Sequence, residues 1–322
     1  MYYYSRSLAS VEIFPSARES IMTLLGFVLA SDKPGISIPA SPVDASFITA
    51  HALVFARRIT KQYEAAQAEY LSQLDNHIGR VTAKWKEQGV YTAVSNSAAW
   101  LDYGVETNTI RLILELRARQ RRHLHFSEDQ IMTELNAQKD KPKLTEAEIP
   151  SAVKALSTDT AFREAVNLAN RTLSVVCRRI GDKNVLPHVH VMLAFLSVLA
   201  SIQYVADLIE QAPWAELVPF LNTLVKTETQ QSQAQDVDAL LARPAFAVGP
   251  ESDDNRDELP LPEDYLVRGL IWGEEYFPPN YFDKENDEEE RYLELASTAK
   301  RRSERVLRLG TQLSSVSQIG LI

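Results

Sequence analysis

The stretch that decides the fold is LPHVHVMLAFLSVLASI, which runs from Leu186 to Ile202. It is apolar on nearly every side, whereas a helix at the surface of a globular protein has one apolar stripe and one polar face. Pro187 is suited to the first turn of a helix, where its missing N–H is not needed. We therefore predict a helix that begins at Leu186–Pro187 and lies at the centre of the domain.

The segment before this central helix carries an apolar stripe at helical spacing. The members of the stripe recur every four and three residues and are Phe162, Val166, Ala169, Leu173, Val176 and Ile180. Gly181 follows where a left-handed C-cap is expected to end the helix. After the central helix, Pro213–Trp214 begins another one, in which Pro219 either makes a kink or marks the true start.

The rest of the chain has the same helical character. The low count of 11 glycines and the lack of sustained apolar/polar alternation argue against strands. Gly89 and Gly104 are predicted to separate helices. Further helices are predicted from Pro15, over the stripe Leu71–Trp85, over residues 90–103 and 107–122, and in a basic segment at 291–313. The predicted fold class is all-α, an irregular array of antiparallel helical hairpins that resembles an α-solenoid.

Composition also predicts boundaries along the chain. Residues 31–46 contain three prolines and several serines, which indicates a linker between an N-terminal part, 1–30, and a main domain, 47–313. Within the main domain, about residues 228–258 are polar and then acidic, a composition typical of disorder. Residues 314–322 are interpreted as a tail.

Charge, cysteine content and hydropathy exclude several classes of protein. The formal net charge of -9 opposes attraction of the whole molecule to nucleic acid or to an anionic membrane. One cysteine cannot form an internal disulfide, so nothing indicates a secreted scaffold. The most apolar run, Val191–Ile202, has 12 residues, whereas a membrane span needs about 20. We expect an intracellular protein without a membrane partner.

No catalytic signature is present in the sequence. It contains no Walker loop, GxSxG, HExxH or dinucleotide fingerprint. His188 and His190 are two positions apart and would lie on different helix faces, which is poor geometry for a shared metal. Cys177 lies within an apolar stripe, which favours a packed thiol. The acidic run 283–290 is typical of a solvated loop. We therefore predict no catalytic residue, metal, cofactor or small-molecule substrate.

Two basic clusters contain the residue types that contact phosphate groups. Residues 117–122 end a predicted helix, where cations also interact favourably with the helix dipole. The other cluster lies in the last helix and consists of Lys300, Arg301, Arg302, Arg305 and Arg308. Arg301, Arg305 and Arg308 fall on one helical face, and such a stripe can bind the phosphates of nucleic acid. Solvation or pairing with the nearby acidic runs is the alternative interpretation.

A set of aromatic residues near the C-terminal half supplies a large apolar area. Its members are Trp214, Trp272, Tyr276, Phe277, Tyr281 and Phe282. Packing in the core is the expected role. A groove that takes a peptide or a base is the alternative.

Several segments spread over the chain have a more specific character. They are YYYSRSLA at 2–9, FPSARE at 14–19, WKEQGVY at 85–91, IGDKNVLPHVH at 180–190, PW at 213–214 with VPFLNTL at 218–224, LPEDYLVRGL at 261–270 and the run Arg302–Leu309. Together they resemble the ever-shorter-telomeres/SMG family of telomerase-associated and nonsense-mediated mRNA decay factors, most closely its filamentous-fungal members.

The resemblance implies a two-part architecture. Residues 1–30 would be the last helices of a 14-3-3-like helical-repeat domain, and 47–313 the helical-hairpin domain often labelled DNA/RNA-binding. Arg6 is the one phosphopeptide-binding position that carries over, since its guanidinium would hold a phosphate in a fork. Local capping or pairing is the alternative for Arg6. The PIN nuclease domain of some family members is not expected, because no parallel sheet is indicated.

The function that the resemblance implies is that of a non-enzymatic adaptor of nonsense-mediated mRNA decay, with a further link to telomere maintenance. The expected partners are mRNA decay factors or telomerase-associated proteins, together with RNA or single-stranded telomeric DNA, in nucleus and cytoplasm. One alternative is a direct nucleic-acid-binding module that uses the basic C-terminal helix. Another is a truncated fragment with little autonomous function, because residues 1–10 resemble the uncapped end of a helix.

Overall fold

The computed structural model describes residues 1–12, 15–30, 40–124, 126–137, 142–232, 246, 259–283 and 296–317. Within this part of the chain the regular structure is helical and contains no strand, and one isolated bridge joins Ser10 to Leu270. The prediction of an all-α helical array is therefore confirmed.

The α-helices are numbered here in chain order, and short 3-10 turns connect some of them. They are α1 Tyr2–Leu8, α2 Pro15–Ala30, α3 Pro42–Phe55, α4 Lys61–Val81, α5 Trp85–Trp100, α6 Thr109–His123, α7 Glu128–Ala137, α8 Ile149–Thr158, α9 Thr160–Cys177, α10 Leu186–Ala200, α11 Trp214–Ser232, α12 Pro262–Val267, α13 Gly273–Tyr276 and α14 Ala296–Ser317.

Helix α10 lies at the centre, as the sequence predicts. Every one of its residues is buried, and Pro187 occupies its first turn. It packs against α5, α9 and α14, and also contacts α12 and α13. By length and composition alone, Lys183–Ala200 would suffice to cross a membrane, but 83% of it is buried inside the protein. A helix that is apolar all round is explained by this central position.

Helix α9 shows the expected stripe with one exception. Asp159 caps its N-terminus, because the Asp159 carboxylate accepts a hydrogen bond of 2.8 Å from the Phe162 N–H. The stripe residues up to Val176 are buried. Ile180, however, is exposed, so its assignment to the stripe is wrong. The helix ends at Cys177 with Arg178 as its C-cap residue in a right-handed conformation, so the prediction that Gly181 caps this helix is wrong. Gly181 lies in the turn that follows, where it has a left-handed φ of 84°.

Helix α5 corrects a predicted break. Gly89 does not separate two helices but lies inside α5. The reason is packing, since a Cβ on Gly89 would stand 3.1 Å from the Cβ of His188 in α10. The true break follows α5, where Asp102, Tyr103 and Gly104 all have positive φ. The predicted end at Gly104 is thereby confirmed.

The N-terminal helices belong to the same hydrophobic core as the rest. Tyr2, Leu8, Ile21 and Leu25 are part of one buried cluster with the side chains of α3, α5, α9 and α10. Helix α1 packs on α5, and α2 packs on α3. The predicted linker at 31–46 ends too late, because α3 begins at Pro42 behind the capping residue Ser41.

Some predicted irregular regions are partly helical. Helix α11 continues through residues 228–232 with Pro219 inside it, and α14 continues through residues 314–317 of the predicted tail. The remaining parts of the acidic insert, of the acidic run and of the tail fall outside the described residues, at 233–245, 247–258, 284–295 and 318–322.

Candidate functional site

The basic face of α14 is directed into the protein. Arg302 and Arg305 are only 2% and 3% exposed, and Arg308 is also buried. Their neighbours are Glu263 and Asp264, which lie in the first turn of α12. An exposed phosphate-binding stripe is therefore absent at Arg302 and Arg305, and the structure supports the alternative of intramolecular pairing. The physical reason is that two desolvated carboxylates require buried cations beside them.

The two ion pairs have close, directional geometry. Arg302 donates through Nε and Nη2 to the two Glu263 oxygens at 2.6 and 2.8 Å, a bidentate arrangement. Arg305 donates through Nη1 to Asp264 Oδ2 at 2.8 Å. The Tyr281 hydroxyl donates to the same Asp264 oxygen at 2.7 Å. Every member is buried, so the pairs are shielded from solvent.

His190 of α10 completes this group, which we call the buried ion cluster (His190, Glu263, Asp264, Tyr276, Tyr281, Arg302 and Arg305). His190 Nδ1 lies 3.0 Å from Glu263 Oε1, and its Nε2 lies 2.8 Å from the Tyr276 hydroxyl. Burial alone would raise the pKa of Glu263, but the charge of Arg302 and the contact with His190 hold that pKa well below its usual value. The cluster joins α10, α12, α13 and α14 by charge as well as by apolar packing.

Of the other predicted members of the basic stripe, Lys300 is exposed and Arg301 is partly buried, whereas Arg308 is buried like Arg302 and Arg305. Lys300 is 55% exposed in its side chain and lies 3.8 Å from Glu304. Arg301 donates to the Leu259 carbonyl at 3.4 Å, and Arg308 lies 3.5 Å from Glu304. Nucleic-acid binding by this helix stays a prediction, and Lys300 is the member of the five that the structure leaves most accessible.

Arg6, the predicted phosphopeptide-binding residue, lies on α1 and is partly buried. Its Nη2 donates to the Arg268 carbonyl at 3.2 Å, at the turn after α12. The two residues are 262 positions apart in the chain, so this bond is a tertiary contact and not the local capping or pairing that was the alternative role. Phosphopeptide binding by Arg6 stays a prediction.

The second basic cluster ends α6, where the sequence predicted a helix end. Arg121 pairs with Glu275 at 2.9 Å, and Arg117 donates to the Ser201 carbonyl at 3.0 Å. Arg122 and His123 both contact Glu134 of α7, at 2.7 and 2.9 Å. These cations therefore hold α7, α13 and the end of α10 against α6.

The side chains that were considered as catalytic or metal-binding groups are packed in the core. His188 Nδ1 contacts the Gly89 carbonyl at 2.7 Å, away from the partners of His190. Cys177 is buried, and burial raises the pKa of its thiol. In the described part of the chain, no three His, Cys, Asp or Glu side chains are placed to hold a metal ion.

The aromatic residues of the C-terminal half are mostly core residues. Trp272, Tyr276 and Tyr281 are buried, and Phe277 stacks on Tyr281 with ring centroids 5.2 Å apart. Trp272 also packs edge-on against Phe195 of α10 at 5.7 Å. Core packing, the expected role, accounts for these contacts.

A surface cleft that the sequence did not predict lies among α1, α3, α4 and α5. It has a volume of about 400 Å³. Its aromatic lining residues are Tyr2, Tyr3, Phe47, Tyr70, Trp85 and Tyr91. We call it the aromatic cleft. Clefts of this size with aromatic walls are the usual places where proteins accept apolar groups.

Fixed ring contacts shape the walls of the aromatic cleft. The rings of Tyr2 and Tyr91 stack with centroids 4.1 Å apart and planes 23° apart. The Tyr2 hydroxyl donates to the Leu266 carbonyl at 2.9 Å, which anchors α1 to α12. Phe47 of α3 and Tyr70 of α4 pack at 4.9 Å. Tyr3 differs from the other wall residues because it is 73% exposed.

The aromatic walls are electrically neutral near physiological pH. Burial raises the pKa of the Tyr2, Tyr70 and Tyr91 phenols above the usual value of 10.0. The edge of the cleft is polar, with the exposed carboxylate of Asp44 and with Gln88, whose side-chain oxygen lies 3.2 Å from His77 Nε2. An apolar surface with a few polar groups at its edge suits a peptide side chain whose backbone stays hydrated.

Two sequence segments that carry the family resemblance meet in this cleft. Tyr2 and Tyr3 come from the segment at 2–9, and Trp85, Gln88 and Tyr91 from the segment at 85–91. Helical spacing could have placed Gln88 and Tyr91 on one face of α5. The contact between α1 and α5 is tertiary, however, and no local signal predicts it.

No family model matches the chain, and neither does any curated protein or solved structure.

Proposed function

We propose that this protein is a non-enzymatic adaptor of nonsense-mediated mRNA decay that binds partner proteins through the aromatic cleft. The observation that carries the proposal is the cleft itself, an open cleft of about 400 Å³ between four helices, with uncharged aromatic walls and a polar edge. Aromatic pockets of this kind provide most of the binding energy in many protein interfaces.

The occupant that fits the cleft is a partner segment with a large apolar side chain. The aromatic wall residues offer ring faces and carry no charged side chain. At the edge of the cleft, Asp44 and Gln88 can form hydrogen bonds to a peptide backbone or to a basic side chain beside the inserted one. Tyr3 would close over the inserted side chain, because it is the most exposed of the wall residues. Such an anchor surrounded by polar groups is a common mode of peptide recognition.

The resemblance to the ever-shorter-telomeres/SMG family supports the choice of partner. Because the segments at 2–9 and 85–91 contribute to both the resemblance and the cleft, the proposed partners are mRNA decay factors. Telomerase-associated proteins are the alternative set that the same family implies.

Affinity capture with matched variants tests this function. The immobilised full chain would be incubated with extract of its own source cells, and the bound proteins would be quantified by mass spectrometry. Tyr3→Glu places a charge at the mouth of the cleft, and we expect it to reduce recovery of mRNA decay factors about tenfold, which corresponds to about 1.4 kcal/mol. Leu124→Glu is the control, since Leu124 is 80% exposed and lies on the turn after α6.

The outcomes separate the alternatives. Enrichment of mRNA decay factors that Tyr3→Glu reduces about tenfold and Leu124→Glu leaves unchanged would support the proposal. Enrichment of telomerase-associated proteins in their place would overturn the assignment to mRNA decay. Equal recovery by the two variants would show that the cleft is not the docking surface.

A further inference from the structure

A second cleft lies along the outer face of α9 and has a different chemical character. Its lining is polar and its volume is about 450 Å³. The residues of α9 that line it are Arg163, Glu164, Asn167, Asn170, Arg171 and Ser174, and Gln211 and Pro213 form the opposite side. Apart from Glu164, these α9 residues are spaced by four, three, one and three positions, which places them on one helix face. We call it the polar cleft.

Asn170 is the buried polar residue of this cleft. It is 7% exposed, and its Nδ2 donates to the Gln211 carbonyl at 2.8 Å across the cleft. Its Oδ1 has no hydrogen-bond partner among the described residues. Leaving a buried acceptor without a hydrogen bond is unfavourable, so a donor that enters the cleft would be bound favourably.

The cations of the polar cleft are not neutralised by carboxylates. Arg163 and Arg171 are both exposed, and neither forms an ion pair with any of the described acidic residues. Arg171 donates to the neutral Gln67 side chain at 2.7 Å. The one carboxylate in the lining, Glu164, accepts a hydrogen bond from Asn167 at 3.1 Å. The cleft is thus locally positive on a molecule whose net charge is -9.

We propose that the polar cleft binds an extended segment of a partner protein that carries carboxylate side chains. The guanidinium groups of Arg163 and Arg171 hold the anionic groups. A backbone N–H of the segment donates to Asn170 Oδ1, which leaves the Asn170 bond to Gln211 in place. Asn167 and Ser174 offer further hydrogen bonds along the same helix face.

A nucleic-acid strand fits these observations less well. Single-stranded nucleic acid is generally held by aromatic side chains that stack on the bases, and the lining of the polar cleft includes no aromatic residue. The net charge of -9 also repels a polyanion at long range, whereas a short acidic segment carries far fewer charges. This site is separate from the aromatic cleft, and the inference does not depend on the function proposed for that cleft.

Fluorescence anisotropy with purified full chain tests the inference. The probes are a labelled glutamate-rich peptide, the same peptide with phosphoserines in place of glutamates, its glutamine counterpart and an oligouridine. We expect the glutamate-rich peptide to bind about tenfold more tightly than the glutamine peptide and the oligouridine. Tight binding of the phosphoserine peptide alone would overturn the assignment to carboxylates. The double variant Arg163→Gln/Arg171→Gln should remove this preference. Arg178→Gln is the matched control, because Arg178 is an exposed arginine at the end of the same helix but lies outside the cleft.

Three further results would overturn the inference. Equal affinity for the anionic and glutamine peptides would exclude recognition of anionic groups. Equal loss in the double variant and in Arg178→Gln would show that only general charge matters. Tighter, arginine-dependent binding of the oligouridine would assign the cleft to nucleic acid.

Asn170→Ala, with circular dichroism to verify folding, should weaken binding of the anionic peptide and of the glutamine peptide alike, because Asn170 contacts the peptide backbone.

Discussion

At the scale of single residues, the ion-pair partners of the arginines on α14 determine whether these arginines are buried or exposed. Arg302 and Arg305 have the spacing of a surface stripe, yet they are buried against Glu263 and Asp264. The free energy of such a pair depends on both members, because each ion loses its hydration and the opposite charge compensates for much of that loss. The pairs therefore make the position of α14 against α12 specific.

Removing one member of the Arg302–Glu263 pair should destabilise the protein strongly. We expect Arg302→Met to lower the free energy of unfolding by about 3–5 kcal/mol, because Glu263 then keeps a buried charge without its bidentate donor. The double variant Arg302→Met/Glu263→Gln should recover part of this loss, and urea denaturation measures both. The control is Lys300→Met, since the Lys300 side chain is 55% exposed. Similar effects of Arg302→Met and Lys300→Met would refute the role of the pair.

At the scale of helices, much of the architecture follows from local sequence. The all-round apolar character of α10 and the proline at its start predict a buried helix that begins at Leu186–Pro187, and both features are present. The break predicted at Gly89 is wrong, because the role of this glycine is to let α5 and α10 approach each other closely. This contact is tertiary, so the local sequence does not reveal it. The burial of Arg302 could not be predicted from local sequence either, since its partner Glu263 lies 39 positions earlier in the chain. The aromatic cleft also depends on such long-range contacts.

The turn after α5 gives a prediction at this scale. Gly104 has φ of 80°, and a Cβ there would lie 2.8 Å from the Leu8 carbonyl oxygen of α1. Gly181 has φ of 84° with nothing within 4 Å. Gly181→Ala should therefore cost only the left-handed backbone penalty of about 1–2 kcal/mol, whereas Gly104→Ala should cost more because α1 must move. Thermal or urea unfolding of both variants measures the difference, and equal costs would contradict the close contact of α1.

At the scale of the whole molecule, buried neutral histidines couple the core to pH. His51 lies among α3 and α5, where burial lowers its pKa to about 3. His188 lies between α5 and α10, where burial lowers its pKa to about 4. Both side chains have a usual pKa of 6.5 when exposed in the unfolded chain. Acid therefore protonates the unfolded state first, so that stability is lost as the pH falls below 6.5.

Urea denaturation between about pH 7 and about pH 4.5 measures the expected pH dependence of the free energy of unfolding. In this window these histidines make the main contribution to that dependence. Each histidine should contribute about 1.4 kcal/mol per pH unit to the slope once the unfolded state is protonated. His188→Asn keeps a donor for the Gly89 carbonyl and should reduce the slope by one histidine's share. An unchanged slope in His188→Asn would show that His188 is not a buried neutral group.

The buried position of Cys177 has a practical consequence. It is the single thiol of the chain, and it is packed inside α9 without exposure. A cysteine introduced at an exposed position such as Tyr3 or Arg171 would therefore react alone with a maleimide dye, while the native thiol stays shielded. The protein can thus carry one spectroscopic label at either cleft without prior removal of its own sulfhydryl group.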